Sequence, residues 1–354
     1  MKHVISKFKL KGNPVECARY GHGHINETHL VTCDTGLSYI LQKINKKIFL
    51  KPEELMENIA AITAYISEYS EDPRGSLHLV LAYDGKSYYK DENAEYWRVY
   101  EFVPSTICLQ KPESPKDLYY SGLAFGRFQG VLANFPAETL HEPIADFHNT
   151  RIRFGQLRAA MENNYQNRMA TCQKELEFAL ARECESGAIV DKLVSGELPL
   201  RVTHNDTKLN NILFDFDTRT PLCIIDLDTI MPGSSLYDYG DSICFGASSA
   251  PEDEQDLDKV WCDIELFRNY TEGFLQGCDG RLTDLEIEML PMGAKMMTLE
   301  CGIRFLADYL NGDTYFRTHY AEQNLICART HLKLVADMES KWEIMHKIVK
   351  EIVK

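Results

Sequence analysis

The sequence predicts an α+β protein in two parts, a small antiparallel sheet with one helix followed by a larger, mainly helical region. Three observations carry this expectation. Strand-like apolar runs crowd the first hundred residues, apolar residues at spacings of three and four dominate after residue 115, and the segment 104–115, with Pro104, Pro112 and Pro115, punctuates the chain between them. The expected division is 1–103 and 104–354.

In the first part, the residues after Cys17 lead into Gly21-His-Gly-His-Ile-Asn26. Residues 29–33 and 37–44 are apolar runs split by Asp34-Thr-Gly36, a hairpin signature. Pro52 with Glu53 and Glu54 marks a helix start, since proline needs no amide partner there and acids favour the positive helix end. Leu55, Ile59, Ile62 and Ile66 continue it at helical spacing. Residues 77–83 and 96–103 are expected strands. In the second part, helices are expected over 118–134, 150–184, 188–195, 256–276, 283–309 and 323–353. A strand hairpin, 212–216 and 222–227, interrupts them, and the acidic run 251–258 is expected to begin a helix on a solvated face.

The chain has 354 residues, 44% hydrophobic and 26% charged, with a net charge of −15. That balance opposes tracking along a nucleic-acid backbone, which needs a basic face. Eleven cysteines without any Cys-x-x-Cys argue for reduced, buried thiols rather than a disulfide framework or a zinc site. The opening residues lack a signal-peptide core and no apolar run spans a bilayer, so no membrane partner is expected and the location is taken as cytoplasmic. A monomer is the default.

The chemistry concentrates in Thr203-His-Asn-Asp-Thr-Lys-Leu-Asn-Asn211 and the hairpin after it. Phosphoryl transfer needs an aimed hydroxyl, positive charge on the phosphates and oxygen ligands for magnesium. Asp206 is the candidate base and Lys208 a point charge for the transferring phosphate. Asn211 and Asp226 are the candidate magnesium ligands, an amide oxygen and a carboxylate of the hard kind that ion prefers. The hairpin is expected to bring the 203–211 loop and Asp226, at the end of its returning strand, to one edge. Strand alternation would turn Asp228 to the same side, toward either the metal or the loop. The spacing His-x-Asp-x4-Asn followed by a strand and Asp is that of a kinase catalytic loop.

For the nucleotide, Gly21, Gly23 and Asn26 form a loop whose amides can cradle phosphate. Glu101 and Val103 sit where backbone can bind adenine. A kinase carries a lysine on its third strand. Here register puts Gln42 at that position and Lys43 on the opposite face, and either can meet the phosphates. Glu57 is a candidate helix partner for such a cation. Asp238 is expected to brace the catalytic loop, and Asp241 to do the same or cap a helix. Arg127 and His148 are read as structural.

These residues resemble the aminoglycoside phosphotransferase and choline kinase superfamily, and within it the N-acetylhexosamine 1-kinase branch. Tyr20-Gly-His-Gly-His-Ile-Asn26, Trp97-Arg-Val-Tyr-Glu-Phe102, the 203–211 loop, Ile225-Asp-Leu-Asp228, Tyr237-Asp-Tyr-Gly-Asp241 and Arg304-Phe-Leu-Ala-Asp-Tyr-Leu310 carry the resemblance through most of the chain. It implies a bilobal protein-kinase-like fold, ATP and magnesium (Mg2+) as cofactors, and GlcNAc or GalNAc as acceptor, phosphorylated on the anomeric oxygen. Glu300, Arg304 and Asp308, four apart on one helix face, are expected to shape the sugar pocket. Arg304 and Tyr315 are the strongest candidates for sugar contacts, with Trp342 a third. The alternatives are a kinase of another hexose, choline or an aminoglycoside on the same fold, or a non-catalytic nucleotide-binding scaffold.

Overall fold

A computed structural model describes residues 1–21 and 25–354. In chain order the first elements are α1 (Lys2–Ile5), β1 (Pro14–Arg19), β2 (Glu27–Cys33), β3 (Ser38–Lys43), α2 (Pro52–Tyr69), β4 (Tyr89–Lys90), β5 (Tyr96–Glu101) and β6 (Thr106–Cys108). Helices α3 (Pro115–Val131), α4 (Thr150–Asn163), α5 (Gln173–Leu180) and α6 (Val190–Ser195) follow. Then come strands β7 (Arg201–Thr203), β8 (Ile212–Asp215), β9 (Pro221–Ile224) and β10 (Met231–Gly233). The remainder is helical: α7 (Ser235–Gly246), α8 (Ile264–Cys278), α9 (Asp284–Glu288), α10 (Leu290–Leu310), α11 (Gln323–Ser340) and α12 (Trp342–Val353).

These elements form two compact units. The first comprises Met1–Leu109, Asn134–Ala145 and Asn211–Pro232, and the second Gln110–Ala133, Asp146–Asn210 and Gly233–Lys354. The sequence reading has the chain cross once, at 103/104; here it crosses near that point and then returns twice.

The first unit holds an antiparallel five-stranded sheet in the order β1-β2-β3-β5-β4. The β2–β3 turn closes on Gly36, whose φ of +81° is accessible to glycine without strain. One face of the sheet, with Val31, Leu41, Trp97 and Val99, packs on Ile5 and Phe8 of the N-terminal segment. The other face carries Tyr96 and Arg98, which reach Glu53 and Met56 of α2. Residues 77–83 do not make the expected strand. They run beside β5 through scattered bonds, such as Val80 N–H to Val99 O at 2.8 Å, without a continuous ladder. A separate sheet, β6-β8-β9, contains the expected hairpin.

In the second unit the long expected helices are broken. Residues 150–184 divide at Asn164, which sits in the left-handed region and ends α4. Residues 283–309 divide at Met289, with Pro291 opening α10, and 323–353 divides at Lys341. Apolar spacing continues through each break in the sequence, so periodicity alone cannot mark it. The acidic run 251–258 precedes a short 3₁₀ turn, and α8 starts only after Asp263, whose carboxylate caps it by accepting Glu265 N–H and Leu266 N–H. The eleven cysteines are all free thiols, and no helix among the described residues is long and apolar enough to cross a membrane.

Helices α3 and α8 approach closely through glycines. A Cβ on Gly126 would lie 2.2 Å from Phe274 O, and one on Gly273 1.9 Å from Tyr119 O. Gly126→Ala should therefore destabilise the fold by roughly 1–3 kcal/mol through overpacking. Gly155→Ala, in a helix with open space around the added methyl, should be neutral or stabilising by up to about 1 kcal/mol. Thermal melts of the two variants check the contrast, and equal melting temperatures would refute it.

Candidate active site

The candidate residues are distributed over both units, and the 203–211 loop is divided between them at Asn210 and Asn211.

In the first unit, cross-strand register builds a row. Thr28 pairs with Gln42, and Gln42 with Arg98. The Gln42 amide donates to Thr28 Oγ1 at 3.1 Å and accepts from Arg98 Nε at 2.9 Å. Arg98, only 1% exposed, forms an ion pair with Asp228. The other Asp228 oxygen accepts from the Asn26 amide, and Asn26 Oδ1 accepts the Asn45 N–H at 3.0 Å. Burial works against the Arg98 charge, but Asp228, helped by Tyr100 and Asp226, outweighs it and raises its pKa. Asp228 thus gives its two oxygens to Arg98 and Asn26 rather than to the 203–211 loop. Arg98 was not anticipated as a functional residue. A lone guanidinium inside the apolar strand Tyr-Trp-Arg-Val-Tyr was the signal, because a buried charge requires a partner.

Lys43 lies on the other face, 3.5 Å from Glu95 and over the Trp97 ring. Glu57 is exposed and meets His141 at 2.8 Å, not a strand cation; its neighbour Asn58 is the buried residue, donating to His141 O and Ile230 O. Gly21 has φ +73° and open space around it, whereas Gly23 lies outside the described residues. Glu101 faces Lys11 at 3.8 Å, and the buried Val103 accepts the Thr106 hydroxyl at its carbonyl.

The hairpin also belongs to this unit. Ile212 pairs with Ile224, and Ile225 N–H donates to Asn211 O at 2.9 Å, so Asn211 and Asp226 adjoin at its open end. Asp226 is not a strand residue as expected. It is exposed, with φ +60°, and precedes the 3₁₀ turn Leu227–Thr229, so alternation along a strand does not relate it to Asp228. One amide and one carboxylate are a hard oxygen set that fits magnesium, with water and phosphate completing its shell.

In the second unit, α7 fixes the loop 203–207. Asp238 accepts His204 N–H at 3.0 Å, Asn205 N–H at 2.8 Å and the Gln129 amide at 2.7 Å. Asp241 accepts Thr207 N–H at 2.7 Å, and the Ser242 hydroxyl donates to Thr207 O. Asp241 lies inside α7 and so does not cap a helix. Buried His204 packs between Phe125 and Phe128 and takes Asp206 N–H on Nδ1 at 3.3 Å. Lys208 Nζ stands 2.9 Å from Asp206 Oδ1, over the Phe245 ring. Burial would lower the Lys208 pKa, but Asp206 and Asp241 outweigh it and raise it. Burial and the Asp206 charge push Asp241 up to about 6.

Further along this unit, Glu300 is buried between His148 Nδ1 at 2.9 Å and the Thr150 hydroxyl at 2.7 Å. Among the described residues His148 Nε2 is buried without a hydrogen-bond partner. Asp308 accepts Thr314, Tyr315 and Phe316 N–H groups at 2.8–2.9 Å, which fixes the loop carrying Tyr315. Arg304 lies over the rings of Phe147, Tyr315 and Phe316 at 5.2–5.9 Å. The structure therefore brings Arg304 and Tyr315 together. Trp342 instead meets His346 edge-on and lies under the ammonium of Lys295, nine residues along α10 from Arg304, about 14 Å by helical rise.

An antiparallel sheet with one helix, followed by a mainly helical unit with a braced His-x-Asp-x4-Asn loop, is the architecture of kinase-like phosphotransferases. A model of the phosphotransferase enzyme family matches residues 16–269, and the chain belongs to that family. Solved structures share the fold at low identity. A microcompartment-associated aminopropanol kinase is 16% identical, with 98% of this chain and 97% of that one covered, at a TM-score of 0.59. An amicoumacin kinase in complex with AMP-PNP and Ca2+ is 14% identical, over 93% and 90%, at 0.61. A Plasmodium vivax ethanolamine kinase is 14% identical, over 92% and 84%, at 0.57.

Two predictions follow from the buried charges. Arg98→Met leaves Asp228 uncompensated and should cost about 3–5 kcal/mol in denaturant unfolding; a loss below about 1 kcal/mol would show the pair to be dispensable. Asp241, raised from 3.8 to about 6, binds its proton more tightly folded than unfolded, so its contribution to stability fades as pH rises from about 4 to about 6. Asp241→Asn keeps an acceptor for Thr207 without the charge. Its melting temperature relative to wild type should rise between about pH 4 and pH 8, and an unchanged difference would refute the assignment.

Proposed function

We propose that this phosphotransferase uses ATP and magnesium to phosphorylate N-acetylhexosamines, GlcNAc or GalNAc, on the anomeric oxygen. The observation that carries the catalytic part is the Asp206–Lys208 pair on a loop whose amides are held by Asp238 and Asp241. Asp206 accepts the acceptor hydroxyl's proton, and an anomeric hydroxyl, more acidic than a simple alcohol, suits a carboxylate base. Lys208 then turns its charge to the transferring phosphate. Asn211 and Asp226 would hold magnesium, which neutralises phosphate charge when bound. Arg98 gives the nucleotide unit its buried cation. Gln42 and Asn26 act through it and Asp228, and Gly21, Gly23 and the backbone at Glu101 and Val103 receive the nucleotide.

Arg304 and Tyr315 support a sugar acceptor. A guanidinium among aromatic rings donates to hydroxyls and an acetamido oxygen, while rings stack on a pyranose face. The same guanidinium repels the ammonium of choline or an aminoglycoside. His148 Nε2 offers a buried polar atom that a sugar hydroxyl would satisfy.

ADP release with magnesium-ATP across N-acetylhexosamines, other hexoses, choline and aminoglycosides tests the substrate. N-acetylhexosamines should stand out and yield an acid-labile phosphate; turnover confined to amino alcohols would overturn the assignment. Asp206→Asn should keep nucleotide affinity and lose roughly 10²–10⁴-fold in kcat. Asp226→Ala should weaken magnesium-ATP binding in calorimetry. Wild-type turnover by Asp206→Asn would reject the base.

A further inference from the structure

The cysteines of the second unit are not evenly spread. Cys244 of α7, Cys301 of α10 and His331 of α11 place their ligating atoms within 4.8 Å of one another, the only such group of three or more among the described residues. They are far apart in sequence, so the usual short spacing of metal ligands is missing. Cys244 and His331 are buried and Cys301 is partly so.

The histidine is held as a metal ligand is held. Its Nδ1 lies 2.7 Å from the Cys327 carbonyl one turn back, and a carbonyl only accepts, so Nδ1 carries a proton and Nε2 is the nitrogen left to meet a cation. Phe245 and Phe305 fix the ring's plane from the sides. A carboxylate oxygen of Glu252 stands 3.7 Å from Nε2.

We propose that Cys244, Cys301 and His331 form a binding site for a soft or borderline divalent cation of the zinc type, with Glu252 or water as fourth ligand. Metal–sulfur bonds of about 2.3 Å and metal–nitrogen bonds of about 2.0 Å set tetrahedral ligand separations near 3.5–3.8 Å, so the three atoms need only a small inward movement. Two thiolates neutralise a divalent charge, which makes a buried site affordable without further counter-ions. Thiolate and imidazole ligands exclude magnesium and calcium, which take oxygen, so this site is chemically separate from the oxygen set of Asn211 and Asp226. The cation would tie α7, which braces the catalytic loop, to α10, which carries Glu300 and Arg304.

The test is cobalt titration of the chelator-stripped full-length protein with excess magnesium and a thiol-free reductant. A single equivalent of Co2+ should give intense thiolate-to-cobalt charge-transfer absorption, bleached by a single equivalent of Zn2+. Cys301→Ser and His331→Gln should lose that absorption, while Cys223→Ala, a buried thiol of the other unit, should keep it. Circular dichroism establishes that each variant is folded. Should either ligand variant fail to fold, melting of the wild-type protein decides instead. Zn2+ should raise its melting temperature, and prior alkylation of accessible Cys301 should abolish the rise. Weak cobalt bands without charge transfer, charge transfer that persists in folded Cys301→Ser, or no zinc shift in the wild-type melt would each overturn the site.

Discussion

The candidate catalytic loop depends on one buried carboxylate. Asp238 has no solvent to balance its charge, and burial pushes its pKa up. What keeps it in place is the set of N–H donors it gathers: two successive backbone amides of the loop and the side chain of Gln129. Satisfying the acid and fixing the loop are one event. A shift of the loop by a few tenths of an ångström would strand both a buried charge and two amides, which is costly in a low-dielectric interior. Asp241 repeats the arrangement one turn later, at Thr207. Asp206 and Lys208 are thereby presented from backbone that has little freedom to drift, as positioning for transfer requires.

The first unit solves a similar problem with the opposite charge. Arg98 is enclosed on all sides and paired with Asp228 and Gln42, while Asn26 donates to the other oxygen of Asp228. The row Thr28–Gln42–Arg98 crosses three adjacent strands, so sheet register decides which side chains meet. A kinase of the usual pattern places its lysine on the third strand. Here that strand supplies a neutral amide, and the cation, paired with Asp228, comes from its neighbour. Lys43 is kept away from it by the pleat.

Three residues of α10 show how one helix serves three tasks. On α10, Glu300 is consumed by His148 and Thr150, Asp308 by the backbone of 314–316, and Arg304 between them lies over aromatic rings. Four-residue spacing is equally compatible with an exposed ladder of ion pairs, but burial of both acids rules that out here. The acids build a frame, and the guanidinium and Tyr315 are what the frame holds.

The sequence by itself determined the two-part α+β plan, the β2–β3 hairpin and the start of α2, because turn residues and proline act locally. It located Asn211 and Asp226 at the hairpin's open end for the same reason. Tertiary structure decided the rest. Breaks at Asn164, Met289 and Lys341 leave apolar periodicity intact and are set by what the flanking helices pack against. Arg98 acquired its role only when Asp228, 130 residues away, was brought to it. The left-handed turn at Asp226 ended a strand that pattern alone extends, and Trp342 was separated from Arg304 by the course of α12. Cys244, Cys301 and His331 carry no spacing signature, since three helices, not one stretch of chain, bring them together. Local rules see neighbours within a few residues; long-range burial and charge pairing choose partners across the whole chain.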